Sequence, residues 1–139
     1  MAPSGEIEAV MSRIKVLLVD DEVGFTAGLN KVLSSRGFEV KEAKDGLLAL
    51  SLIGSEPFDV IVLDIKMPGM DGSQVFGEIS RVTPESRVIV LTGHYSLGEE
   101  EDAWLKSAYA YLLKPCPISK LVTLIEAAGS KVEPGPVAP

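Results

Sequence analysis

Asp64 stands alone at the end of an apolar run, Val60-Ile61-Val62-Leu63, and three other runs also stop on residues suited to phosphate chemistry. Val16-Leu17-Leu18-Val19 ends on Asp20 and Asp21, Val88-Ile89-Val90-Leu91 on Thr92, and Tyr111-Leu112-Leu113 on Lys114. Carboxylates brought to one place repel one another unless a cation or a proton lies between them. With no His or Cys set to supply softer ligands, an oxygen-only site suits Mg²⁺ better than zinc or iron. The expected ligands are Asp21 and Asp64, with Asp20 on the ion or one step behind it, and a backbone carbonyl near Lys66. Lys114 is a point charge that can neutralise a phosphoryl oxygen, and Thr92 is a hydroxyl donor with Gly93 behind it for close backbone approach. A carboxylate surrounded by cation, lysine and hydroxyl can attack phosphorus and carry an aspartyl phosphate. Asp20 and Asp21 are neighbours, so a regular strand would turn only one of them inward. Asp64, between the acidic pair and the Thr92 and Lys114 ends, is the expected nucleophile.

These residues meet only if the runs are parallel strands ending at one sheet edge, where open α/β sheets place their sites. Buried-strand runs at Ile14–Val19, Val60–Leu63 and Val88–Leu91 are joined by weaker ones at Phe38–Glu42 and Ala110–Leu113. Helical spacing lies between them, in Phe25, Leu29, Val32 and Leu33, in Leu47, Leu48 and Leu52, in Val75, Phe76 and Ile79, and in Ile118, Leu121, Val122 and Ile125. Asp45 and Asp71 are placed to cap helices, Ser96 with Glu99 to form a capping box, and Gly37 to close the first helix. The fourth helix has the weakest stripe, anchored by Leu97, Trp104 and Leu105. Five such units predict an α/β fold, a flavodoxin-like doubly wound parallel sheet of order 2-1-3-4-5 with helices on both faces.

The 139 residues suit one domain, 13–128, with tails at 1–12 and 129–139, the second rich in Pro and Gly and readable as a linker cut short. Thirteen basic against 20 acidic residues give a formal charge of −7, which argues against nucleic-acid binding through this domain. No apolar stretch is long enough to cross a bilayer, and residues 1–12 lack a secretory pattern. A cytoplasmic protein is therefore expected. Its single cysteine, Cys116, cannot form an internal disulfide and is read as packing.

The segments Val19-Asp20-Asp21-Glu22, Leu63-Asp64-Ile65-Lys66-Met67-Pro68-Gly69-Met70-Asp71-Gly72, Leu91-Thr92-Gly93 and Tyr111-Leu112-Leu113-Lys114-Pro115 resemble the receiver domains of two-component response regulators. The resemblance runs from about Lys15 to Ala127. It implies that Asp64 is the phospho-acceptor, taking its group from a phosphohistidine on a sensor histidine kinase or a histidine phosphotransfer protein. It further implies that Asp20 and Asp21 serve Mg²⁺, that Thr92 and Lys114 bind the phosphoryl group, and that Thr92 shifts toward it while the ring of Tyr111 turns inward. In similar proteins the bond before Pro115 is cis, and Lys66 and His94 sit at positions that tune the lifetime of the phosphoryl group. The output would pass to an unknown partner protein or effector domain through the face formed by the fourth helix, fifth strand and fifth helix. Such a protein is not a conventional enzyme, although it catalyses its own phosphotransfer and dephosphorylation.

Ser107 and Ala110 stand where relatives often carry Gly and Asp, and Cys116 replaces a frequent Phe. Taken singly, His94 reads as an exposed loop residue, Met67, Met70 and Trp104 as packing, and Tyr111 as core or switch. Two competing functions are a phosphorylation-independent binding module of the same fold and an aspartate-nucleophile phosphatase. The first would show a broken acidic set or a missing lysine; the second usually needs an aspartate two residues past the nucleophile, where this chain has Lys66.

Overall fold

Strand formation follows the aliphatic, mostly β-branched runs, which pack well on a pleated surface buried on both sides. The computed structural model describes residues 14–65, 67, 71–92 and 106–130. Its elements in chain order are β1 (Lys15–Val19), α1 (Val23–Ser35), β2 (Glu39–Ala43), α2 (Gly46–Ser55), β3 (Val60–Asp64), α3 (Gly72–Val82), β4 (Arg87–Thr92), β5 (Ala110–Leu113) and α4 (Ile118–Gly129). All neighbouring strands are parallel and their order is β2-β1-β3-β4-β5. The doubly wound sheet expected from the alternation of periods is therefore the fold. The helix expected around Leu97, Trp104 and Leu105, the capping box of Ser96 and Glu99, Met70, and residues 1–12 and 131–139 lie outside the described residues.

Period-two alternation divides the core. Leu17, Val19, Ile61, Leu63, Val88 and Val90 face α2 and α3, meeting Ala49, Ile53, Val75, Phe76 and Ile79. Val16, Leu18, Val60, Val62, Ile89 and Leu91 face the other way, against Leu29 and Leu33 of α1 and Leu121, Val122 and Ile125 of α4. Every side chain of β3 is buried. Met67 is buried in the first of these layers, where packing was expected.

The helix signals hold where they are described. Asp45 accepts from the Leu48 N–H at 2.8 Å, and Asp71 accepts from the Ser73 N–H at 3.0 Å. Gly37, just past α1, has φ of 95°, a conformation that an L side chain rarely adopts. Gly72 opens α3 against Ile65, where an added Cβ would lie 2.6 Å from the isoleucine Cβ. That contact brings the start of α3 close behind the end of β3. Pro117 takes the N-cap position of α4, where its missing N–H costs nothing.

Candidate functional site

Register places the reactive residues. Val19 pairs with both Ala43 and Leu63, Asp64 with Leu91, and Thr92 with Leu113, so the carboxyl ends of the strands reach one edge together. Asp64 is the last residue of β3 and is only 3% exposed. Beyond the end of β1, Asp20 is equally buried, while Asp21 is exposed. The expectation that only one of this pair could face the site held for a regular strand, but β1 stops at Val19. The chain turns there, and carboxylate oxygens of Asp20, Asp21 and Asp64 come within 4.8 Å of one another.

Oxygens around one Mg²⁺ at about 2.1 Å lie at most about 4.2 Å apart. The three carboxylates need to close only slightly to share such an ion, and as hard oxygen donors they fit it. The backbone carbonyl of Lys66 and the side chain of His94 lie outside the described residues. Thr92 is described through its backbone, as the last residue of β4.

Lys114 follows β5 and reaches across the edge. Its Nζ donates to Asp20 Oδ2 at 2.7 Å and to Glu22 Oε1 at 3.0 Å, and lies 3.5 Å from Asp64 Oδ2. Burial works against the charged ammonium, but hydrogen bonds to Asp20 and Glu22 and the charge of Asp64 outweigh it. The lysine is thus held above its ordinary range and stays cationic. A cis peptide bond joins Lys114 to Pro115, as expected from the resemblance. Both oxygens of the Asp20 carboxylate have a partner, since the second accepts from the Glu22 N–H at 2.9 Å, and each keeps a lone pair for a cation.

Two residues at this edge were not singled out from the sequence. Glu22 contacts the lysine directly, and the Phe25 ring has its centroid 4.6 Å from Nζ, within cation–π range. Glu22 adjoins the acidic pair, which was the available signal; Phe25 read only as the apolar side of α1. Tyr111, by contrast, is not core, since 55% of it is exposed on β5. Cys116 is half-buried, and burial pushes its thiol up against the pull of Lys114 and Lys120, which suits packing rather than nucleophilic chemistry.

What the edge offers is a buried carboxylate able to act as a nucleophile, two further carboxylates for a divalent cation, and a fixed ammonium. No helix among the described residues is long and apolar enough to cross a membrane. The family model of the response regulator receiver domain matches residues 16–126. The transcriptional regulatory protein GlrR of Escherichia coli (strain K12) is 35% identical over 113 residues, which cover 81% of this chain but 26% of that protein. Sporulation initiation phosphotransferase F of Bacillus subtilis (strain 168) is 32% identical over 111 residues, covering 80% of this chain and 90% of its own length. Among solved structures, a CheY-like response regulator receiver domain protein from Methanospirillum hungatei JF-1 superposes with a TM-score of 0.79 at 28% identity, covering 86% and 95% of the two chains. The chain thus spans about a quarter of GlrR and nearly all of the shorter sporulation protein.

Proposed function

The chain belongs to the response regulator receiver domain family, and from that premise we propose that Asp64 is its phospho-acceptor. The observation that carries this reading is the placement of Asp64, buried at the end of the central strand β3, with Lys114 Nζ 3.5 Å away and two more carboxylates beside it. Asp64 attacks the phosphorus of a phosphohistidine in line. An O–P bond forms as the N–P bond breaks, and the imidazole nitrogen leaves with the electron pair. Mg²⁺, when bound, neutralises charge on the transferring oxygens.

Within this proposal Asp20 and Asp21 would hold the ion with Asp64, and Lys114 would bind a phosphoryl oxygen. Thr92, at the end of the neighbouring strand, would donate its hydroxyl to another. Water later attacks the phosphorus, the bond from phosphorus to the Asp64 oxygen breaks, and the carboxylate is restored as inorganic phosphate leaves with both protons of the water. The donor is a sensor histidine kinase or a histidine phosphotransfer protein. The phosphoryl contacts favour one of two arrangements of Thr92 and Tyr111, and an output partner reads the face carrying β5 and α4.

Incubation with acetyl phosphate and Mg²⁺, followed by intact mass spectrometry, tests the reading. The expected result is a gain of about 80 Da, one phosphoryl group, which disappears in Asp64→Asn. No gain, or a gain that survives the substitution, would overturn it.

A further inference from the structure

Glu22 occupies the N-cap position of α1, yet its side chain makes no cap hydrogen bond. Its carboxylate instead reaches Lys114, 92 positions further along the chain. An ammonium has three protons to donate. Here the two shorter contacts go to Asp20 at 2.7 Å and Glu22 at 3.0 Å, while Asp64, the proposed acceptor, has the longest at 3.5 Å. The Phe25 ring supports the lysine from the α1 side.

The three carboxylates differ in what they can give up. Side-chain exposure is 3% for Asp20 and 4% for Asp64, but 64% for Glu22. A buried carboxylate that lost the lysine would stay desolvated, whereas Glu22 can exchange the contact for water at little cost. Beside it lies an open pocket of about 430 Å³, lined by Glu22, Phe25, Lys114, Pro115, Cys116 and Ile118. There is room for the glutamate to swing clear.

We infer that Glu22 is a positioning residue that restrains Lys114 on the α1 side of the edge and competes with a phosphoryl group on Asp64 for the ammonium. This rests on the phospho-acceptor reading above. A phosphoryl group on Asp64 draws Lys114 toward β3, and Glu22 is the contact that yields. The strength of the Glu22 contact then sets how readily the phosphorylated arrangement forms.

Beryllofluoride, a tetrahedral phosphoryl analogue, is the probe, titrated calorimetrically into the whole chain in saturating Mg²⁺. Glu22→Gln keeps the shape of the side chain and removes its charge, and is expected to lower the half-saturating concentration by about fivefold, the scale of one exposed ion pair. Glu22→Asp keeps the charge but withdraws it by one methylene, and is expected to fall between Glu22→Gln and the unsubstituted chain. A structural role at the start of α1 would move the melting temperature and not this order of affinities.

An unchanged or weaker affinity in Glu22→Gln would overturn the inference. So would Glu22→Asp matching the unsubstituted chain, because the effect would then be net charge and not restraint of the lysine. If the unsubstituted chain shows no saturable binding that Asp64→Asn abolishes, the phospho-acceptor reading itself fails, and this inference fails with it.

Discussion

Charge balance at the strand edge rests on few residues. Asp20 and Asp64 are both almost fully buried, and Lys114 is the cation they share among the described residues. A divalent ion is expected to relieve the remaining repulsion and, by binding only the folded chain, to stabilise it. At ten times its dissociation constant the gain is about 1.4 kcal/mol, or roughly 5 °C in melting temperature for a chain of this size. Asp21, the exposed member of the acidic set, can be replaced without opening a cavity. Thermal melts with and without Mg²⁺ are expected to show the gain in the unsubstituted chain and its loss in Asp21→Ala. Equal Mg²⁺ responses in the two proteins would contradict the assignment of the ion. Much at this scale was legible from residue type alone: Asp20, Asp21, Asp64 and Lys114 do converge. Glu22 and Phe25 were less legible, because their importance depends on a lysine that reaches them only after five strands are laid side by side.

Element boundaries decide which of those residues can cooperate. A regular strand through Asp21 would have turned one aspartate of the pair away, but β1 ends at Val19 and both carboxylates reach the site. The local signal in Val19-Asp20-Asp21-Glu22 is the Asp20 side chain, which accepts from the Glu22 N–H two residues on, as an aspartate at a turn does. The starts of helices were more legible, since Asp45 and Asp71 announce themselves by type and position. Asp71 matters to the site because it begins α3 seven residues past the proposed acceptor. The Ser73 hydroxyl, then the Gln74 N–H, donate to its carboxylate and hold it below its ordinary value. A carboxyl lowered in the folded state contributes stability above its unfolded pKa, about 3.9, and loses it as pH falls through the folded value. Asp71→Ala is expected to melt about 4 °C lower at neutral pH, with the gap narrowing below roughly pH 4. Melts at pH 7 and in acid check this, and a gap that widened in acid would contradict it. Tyr111 shows the limit of pattern reading on a short strand. Four residues of β5 did not reveal that its ring faces solvent.

For the molecule as a whole, the two-sided burial of the central strands makes the strand edge rigid enough to hold a reactive constellation. This was readable in the uninterrupted aliphatic runs, since a half-exposed strand would alternate with polar residues. Leu17 and Leu18 are adjacent in sequence, both almost fully buried, and belong to opposite layers of the core. Leu17→Ala and Leu18→Ala are each expected to cost about 2 to 5 kcal/mol in chemical denaturation. A cost below about 1 kcal/mol for either would contradict burial on both faces. The fold therefore positions a site without itself naming the chemistry, which is carried by the side chains at the strand ends. The central claim is that one of these side chains, Asp64, is itself the substrate. The most direct measurement is borohydride reduction of the protein after treatment with acetyl phosphate and Mg²⁺, followed by peptide mass spectrometry. An aspartyl phosphate is converted to homoserine, and the account predicts homoserine at position 64 alone. Homoserine at position 20 or 21, or phosphate recovered on a serine, threonine, histidine or lysine with residue 64 still aspartate, would contradict it.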